Sequence, residues 1–185
     1  MNLEPKTYSP RSSESGAGNL KPRSGFTLVE LILYVSVSAL VALAASGLII
    51  LIIQARVKSQ TVAEVEQVGS QVMNLITQTA RNSPQINSPP LGGTSIVLSL
   101  ANQSSTKNPT IFDVQSSTIR ITEGVSLPVP LTSSRLLASN LLFQNLSRVN
   151  TSGTIRVQFT LTHQNPGGRN EYDYAKNFYG SATIR

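Results

Sequence analysis

Ser24-Gly25-Phe26-Thr27-Leu28-Val29-Glu30, continued by the apolar run Leu31–Ile53, is the stretch on which the reading of this 185-residue chain turns. The run holds 23 residues without a charge. As a helix rising 1.5 Å per residue it spans roughly 34 Å, enough to cross a hydrocarbon core of about 30 Å. Residues 1–24 are polar and are broken by Pro5, Pro10 and Pro22. Such a segment has too little apolar surface to offset the entropy of ordering, so residues 1–24 read as a disordered cytoplasmic leader. A secretory signal peptide has a short apolar region followed by a small-residue cleavage site. Here the run is long, and the small residue at a plausible cut, Gly25, precedes it. Lys6, Arg11, Lys21 and Arg23 lie before the run, whereas Arg56 and Lys58 after it are soon joined by Glu64 and Glu66. That asymmetry favours an inside N-terminus and an outside C-terminal domain.

Glu30 does not suit a plain membrane anchor. An ionised carboxylate in hydrocarbon costs on the order of a few kcal/mol and needs a partner. A cut between Gly25 and Phe26 supplies one, a new α-ammonium on Phe26, four residues before Glu30. In a helical array of subunits, one subunit's carboxylate neutralises its neighbour's ammonium, and two charges that are costly alone become a registering pair.

Gly25-Phe26-Thr27-Leu28-Val29-Glu30 resembles the prepilin cleavage and methylation motif of type IV pilins and type II secretion pseudopilins. The resemblance implies a membrane peptidase that removes the leader after Gly25 and methylates Phe26, with Glu30 guiding assembly. It also implies three partners: the prepilin peptidase, other pilin or pseudopilin subunits, and an inner-membrane assembly platform. The expected location is the cytoplasmic (inner) membrane as a single-pass protein, then a surface or periplasmic filament. The 25-residue leader is longer than is usual in that family.

Beyond Ile53 the pattern becomes amphipathic. Val57, Thr61, Val65, Val68, Val72, Leu75 and Thr79 recur at steps of four and three, and Val62, Met73, Ile76 and Ala80 widen the stripe. The helix is expected to run from Phe26 to about Arg81 and to stop ahead of Pro84, because a proline disfavours helix in the residue before it. Gly47 within it suits either local loosening or close helix packing.

After the Pro/Gly-rich link Pro84–Gly93 the sequence predicts strands. Ile96, Leu98 and Leu100 share a face; Ile111–Val114 and Thr118–Thr122 suggest a hairpin. Thr154–Thr162 alternates cleanly, with Ile155, Val157, Phe159 and Leu161 on one side, and Ala182–Arg185 reads as an edge strand. Thr-Ile-Arg recurs at Thr118, Thr154 and Thr183, at unequal spacings that argue against a repeat. Arg135–Leu146 fits helical spacing in part, while Leu141-Leu142-Phe143 equally suits a buried strand; the segment is read as a short turn or helix feeding a strand. The expected fold is α+β, a long N-terminal helix packed on an antiparallel sheet domain. Its segments are 1–25 (leader), 26–53 (membrane and assembly helix), 54–83 (amphipathic continuation) and 84–185 (β domain). The order of segments 84–185 is similar to minor pilins and pseudopilins of the J/W type.

Net charge is +6, falling to +4 once residues 1–25 are removed, a mild excess compatible with nucleic acid but not demanding it. The chain has no cysteine, which excludes disulfides and thiolate metal sites. A lone imidazole, His163, reads as structural or solvated. Glu171 and Asp173 are too few for a calcium site. There is no phosphate loop, no metal-spaced cluster and no nucleophile–base set, so neither enzyme nor cofactor is expected. Tyr172, Tyr174, Phe178 and Tyr179, with Arg169 and Lys176, either cover the end of the sheet or form a binding surface. Two classes of function follow: a filament subunit, or a displayed module that captures DNA or a surface.

Overall fold

The helix α1 spans Leu28–Arg81, 54 residues in a computed structural model that describes residues 25–150 and 153–184. The expected leader up to Ser24 and the terminal Arg185 lie outside the described residues. The chain divides into two units, Met1–Ala45 and Ser46–Arg185. In the first, every side chain of α1 from Leu31 to Ala45 is exposed, a helix apolar on all sides. The helix is long and apolar enough to cross a membrane. In the second, α1 ends at Arg81 as Pro84 requires.

Among the described residues the second unit adds nine strands: β1 Ile86–Ser88, β2 Thr94–Ser95, β3 Leu98–Leu100, β4 Thr110–Gln115, β5 Thr118–Glu123, β6 Val129–Pro130, β7 Leu136–Asn145, β8 Thr154–His163 and β9 Ala175–Thr183. They form two antiparallel sheets, ordered β1-β3-β4-β5-β6 and β2-β7-β8-β9. Leu98, Leu100, Phe112 and Ile119 from the first sheet share one core with Phe143, Ile155, Val157, Phe159 and Leu161 from the second. Val65, Val72, Ile76 and Ala80 of α1 join the same core.

The hairpin β4–β5 turns through two residues, Ser116 and Ser117, with φ of 50° and 58°. Positive φ at both positions matches the twist of the flanking strands, a conformation that serine adopts at some steric cost. Asp113 faces Arg120 across this pair and accepts two hydrogen bonds from its guanidinium, at 3.0 and 2.6 Å.

Arg135–Leu146, expected to begin as a turn or short helix, is instead almost wholly the ten-residue strand β7. Its alternation changes phase midway. Leu136 and Ala138 are buried ahead of Asn140, and Leu141, Phe143 and Asn145 after it. Three steps on β7, Ser139 to Leu142, oppose two on β8, Thr160 to Gln158. The extra residue is a β-bulge in which Asn140 takes φ 53° and donates from its side-chain amide to Thr160. Run together, the two phases imitate helical spacing.

The first expected strand is also corrected. Thr94–Ser95 pairs in one sheet and Leu98–Leu100 in the other, so Ile96 lies on the crossing between them and is 60% exposed. Within α1 the buried stripe is Thr61, Val65, Gly69, Val72, Ile76 and Ala80, rotated from the expected one so that Leu75 faces outward.

Gly69 explains the rotation. A Cβ there would overlap the ring of Phe178 on β9, which stacks on Phe159 with centroids 5.2 Å apart. One step along, a Cβ at Gly180 would overlap Met73. Each element thus receives the other's side chain at a glycine, and α1 approaches β9 more closely than any larger pair would allow. Lys176 continues the ladder, bonding Glu66 at 2.6 Å while the Tyr174 hydroxyl donates to the same carboxylate at 3.2 Å.

Two predictions follow from this seam. Gly69→Leu forces the Phe178 ring out of its stack and should destabilise the detergent-solubilised full chain by about 2 kcal/mol or more in urea unfolding. Adding Phe178→Ala should recover part of that loss, and strict additivity of the two changes would refute the contact. The second concerns pH. The Lys176 hydrogen bond, then that of Tyr174, holds Glu66 below its ordinary 4.5, and the Glu66 hydrogen bond holds Lys176 above its ordinary value. Glu66, depressed on folding, contributes stability present above the unfolded carboxylate pKa and lost as pH falls through the folded one. Lys176, raised on folding, contributes stability present below the unfolded amine pKa and lost as pH rises through the folded one. Thermal unfolding should therefore show a Tm that drops on acidification below about pH 4.5, and Lys176→Met should shrink that drop; equal drops in both proteins would count against the pair.

Candidate processing and assembly site

Residues 25–34 open the described part of the first unit, and their geometry follows from one cap. Thr27 precedes the first helical residue, and its side-chain oxygen accepts the backbone N–H of Glu30 at 3.2 Å. Its carbonyl accepts the N–H of Leu31 at 3.1 Å, the first turn of the ladder. Thr-x-x-Glu at this point is the sequence of a capping box, and it fixes where α1 begins. The expected start at Phe26 is therefore two residues early.

Glu30 sits in the first helical turn, where the unpaired N–H groups present the positive end of the helix dipole. A carboxylate there is favoured. Its Oε1 also accepts from the Tyr34 hydroxyl at 3.4 Å, one turn further along. Phe26 is 74% exposed, and its ring meets that of Tyr34 edge-on, with centroids 6.0 Å apart and planes at 75°. The structure thus brings Phe26 and Glu30 onto one stripe through a residue that sequence reading passed over. The i, i+4, i+8 spacing was the available signal.

Gly25 is exposed, and among the described residues a Cβ on it would meet nothing within 4 Å. Its backbone is one that any residue adopts, so the fold itself makes no demand for glycine there. Ser36 and Ser38 donate to the carbonyls of Ile32 and Val35 at 2.7 and 3.0 Å, so both hydroxyls are satisfied within the helix and suit hydrocarbon surroundings.

In the second unit, the basic and aromatic residues near the Asn165–Asn170 loop are largely taken up by the fold. Arg169 bonds Glu171 at 3.0 Å, which raises the guanidinium and lowers the carboxyl from their ordinary values. Lys58 donates to the carbonyls of Asn170 and Asp173 at 3.1 and 2.6 Å. His163 is buried and stacks on Tyr172; its Nδ1 donates to the Gln164 carbonyl at 2.9 Å, and its Nε2 lies 3.7 Å from Glu64. Phe178 is in the core, whereas Tyr179 stays 69% exposed. Three of the four aromatics therefore cover sheet and helix. Among the described residues no three of His, Asp or Glu gather as a metal site would need.

Residues 20–46 match the family described as the prokaryotic N-terminal methylation motif. The match straddles Gly25 and Phe26 and runs through the exposed part of α1. No curated protein and no solved structure shows a significant match to the chain. The motif supports a type IV pilin- or pseudopilin-like subunit, one processed by a prepilin peptidase and assembled with other such subunits. It also suggests anchoring in the inner membrane through α1.

Since the fold leaves room at residue 25, Gly25→Leu should leave the chain folded and inserted while lowering the fraction cleaved by roughly tenfold or more. Gel mobility of the membrane fraction reads this directly; mature-sized Gly25→Leu protein at the wild-type level would show that the glycine is not read at the cut.

Proposed function

We propose that this chain is a structural, minor subunit of a type IV pilus or type II secretion pseudopilus. It is inserted as a prepilin with its N-terminus inside, cleaved after Gly25, methylated on Phe26, and assembled through α1. The observation that carries this reading is the motif match at residues 20–46, with Glu30 in the first turn of a 54-residue helix. Residues 1–25 act as leader, 26–53 as membrane and assembly segment, 54–83 as the amphipathic continuation, and 84–185 as the displayed domain. The J/W-type minor role rests on the likeness in order of the segments after the helix.

The chemistry is a change of partner for one carboxylate. In the membrane, Glu30 has the helix N-terminus and a phenol for company, both neutral groups. A neighbour's Phe26 ammonium offers a full opposite charge in low dielectric, where attraction is strong and salt screens it little. Subunits are held in register because only one offset brings the two charges together.

Glu30→Val removes the anion and leaves a more apolar helix. Insertion and cleavage should persist, while incorporation beside wild-type subunits falls severalfold in sheared filament fractions. Wild-type incorporation of cleaved Glu30→Val would remove the basis for assigning the carboxylate to assembly.

A further inference from the structure

Tyr34 places a phenol within the uncharged run Leu31–Ile53, and among the described residues it meets Glu30 through its hydroxyl and Phe26 through its ring. We propose that Tyr34 is a positioning residue for assembly, holding the Glu30 carboxylate toward the neighbouring subunit and away from the chain's own Phe26 amine. This rests on the reading of Glu30 as the assembly carboxylate. After cleavage, Glu30 has two ammonium groups to choose from. The chain's own lies four residues earlier, on the N-terminal side of Glu30. Tyr34 lies four residues later and donates to Oε1 at 3.4 Å, which draws the carboxylate toward the C-terminal end of the helix. Self-neutralisation would use up the charge that recruits a neighbour, so a donor on the far side favours the intermolecular pair.

The ring contributes a second element. The Phe26 and Tyr34 rings meet edge to face with centroids 6.0 Å apart, so the Phe26 side chain lies along the same stripe. The hydroxyl, 3.4 Å from Oε1, is also a donor within reach of Glu30 before its partner arrives.

A tyrosine placed there only as an interfacial anchor would have no effect on Glu30. Two measurements separate the roles. In full-length protein carrying 13C-carboxyl glutamate in detergent micelles, the Glu30 resonance, assigned by its loss in Glu30→Gln, should move in Tyr34→Phe and leave the other glutamates in place. In cells with the native peptidase and assembly machinery, incorporation per cleaved subunit should fall severalfold in Tyr34→Phe and at least as far in Tyr34→Leu. An unmoved resonance, or wild-type incorporation of Tyr34→Phe while Glu30→Val is excluded, overturns the role of the hydroxyl and leaves the assembly reading standing. Wild-type incorporation of Glu30→Val overturns that reading itself, and with it the role given to Tyr34.

Discussion

An ionised carboxylate at the mouth of a 23-residue uncharged run is the constraint from which the rest follows. Water is the usual partner of such a group, and a membrane withdraws it. Thr27 sets the helix start so that Glu30 falls in the first turn, where the backbone dipole is favourable, and Tyr34 adds a hydroxyl. These are partial answers, since dipole and phenol are neutral. On the proposed reading, proteolysis and a neighbouring chain supply the full counter-charge, and processing and assembly then belong to one electrostatic problem.

The second unit meets a different constraint, that of building a core around a helix that is only half available to it. It does so by bringing α1 close. Gly69 and Gly180 remove side chains where Phe178 and Met73 need space, and Glu66 then reaches both Lys176 and Tyr174. Tyr174, Lys176 and Phe178, half of the residues that looked in the sequence like a binding surface, lock β9 to the helix. The Lys176 charge among them has an internal partner, Glu66.

Periodicity made the helix, its end before Pro84, the β4–β5 hairpin and strand β8 legible in the sequence. Each has a single unbroken period and a clear stop signal. Glu30 drew notice for another reason, since a charge in an apolar run is conspicuous, and the roles proposed for Gly25 and Phe26 came with the motif resemblance. What escaped was whatever interrupts a period or depends on a distant partner. The bulge at Asn140 shifts the phase of β7 and made one strand resemble a helix. Ile96, apolar and at strand spacing, is exposed because the chain changes sheets there. Gly69 carries no hydrophobic signal, and only the distant Phe178 reveals its place in the buried stripe. Tyr34 was hidden by its setting, since one aromatic among aliphatic residues reads as more of the same until its hydroxyl is seen on Glu30.

The most direct measurement is the N-terminal mass of the chain extracted from the membranes of its native cells. Opposite charges brought together by proteolysis require that the recovered protein begin at Phe26 and carry a methyl group on that amine. A chain that still begins at Met1, with Phe26 internal and unmodified, would leave Glu30 without its counter-charge and reduce the molecule to a tethered β domain.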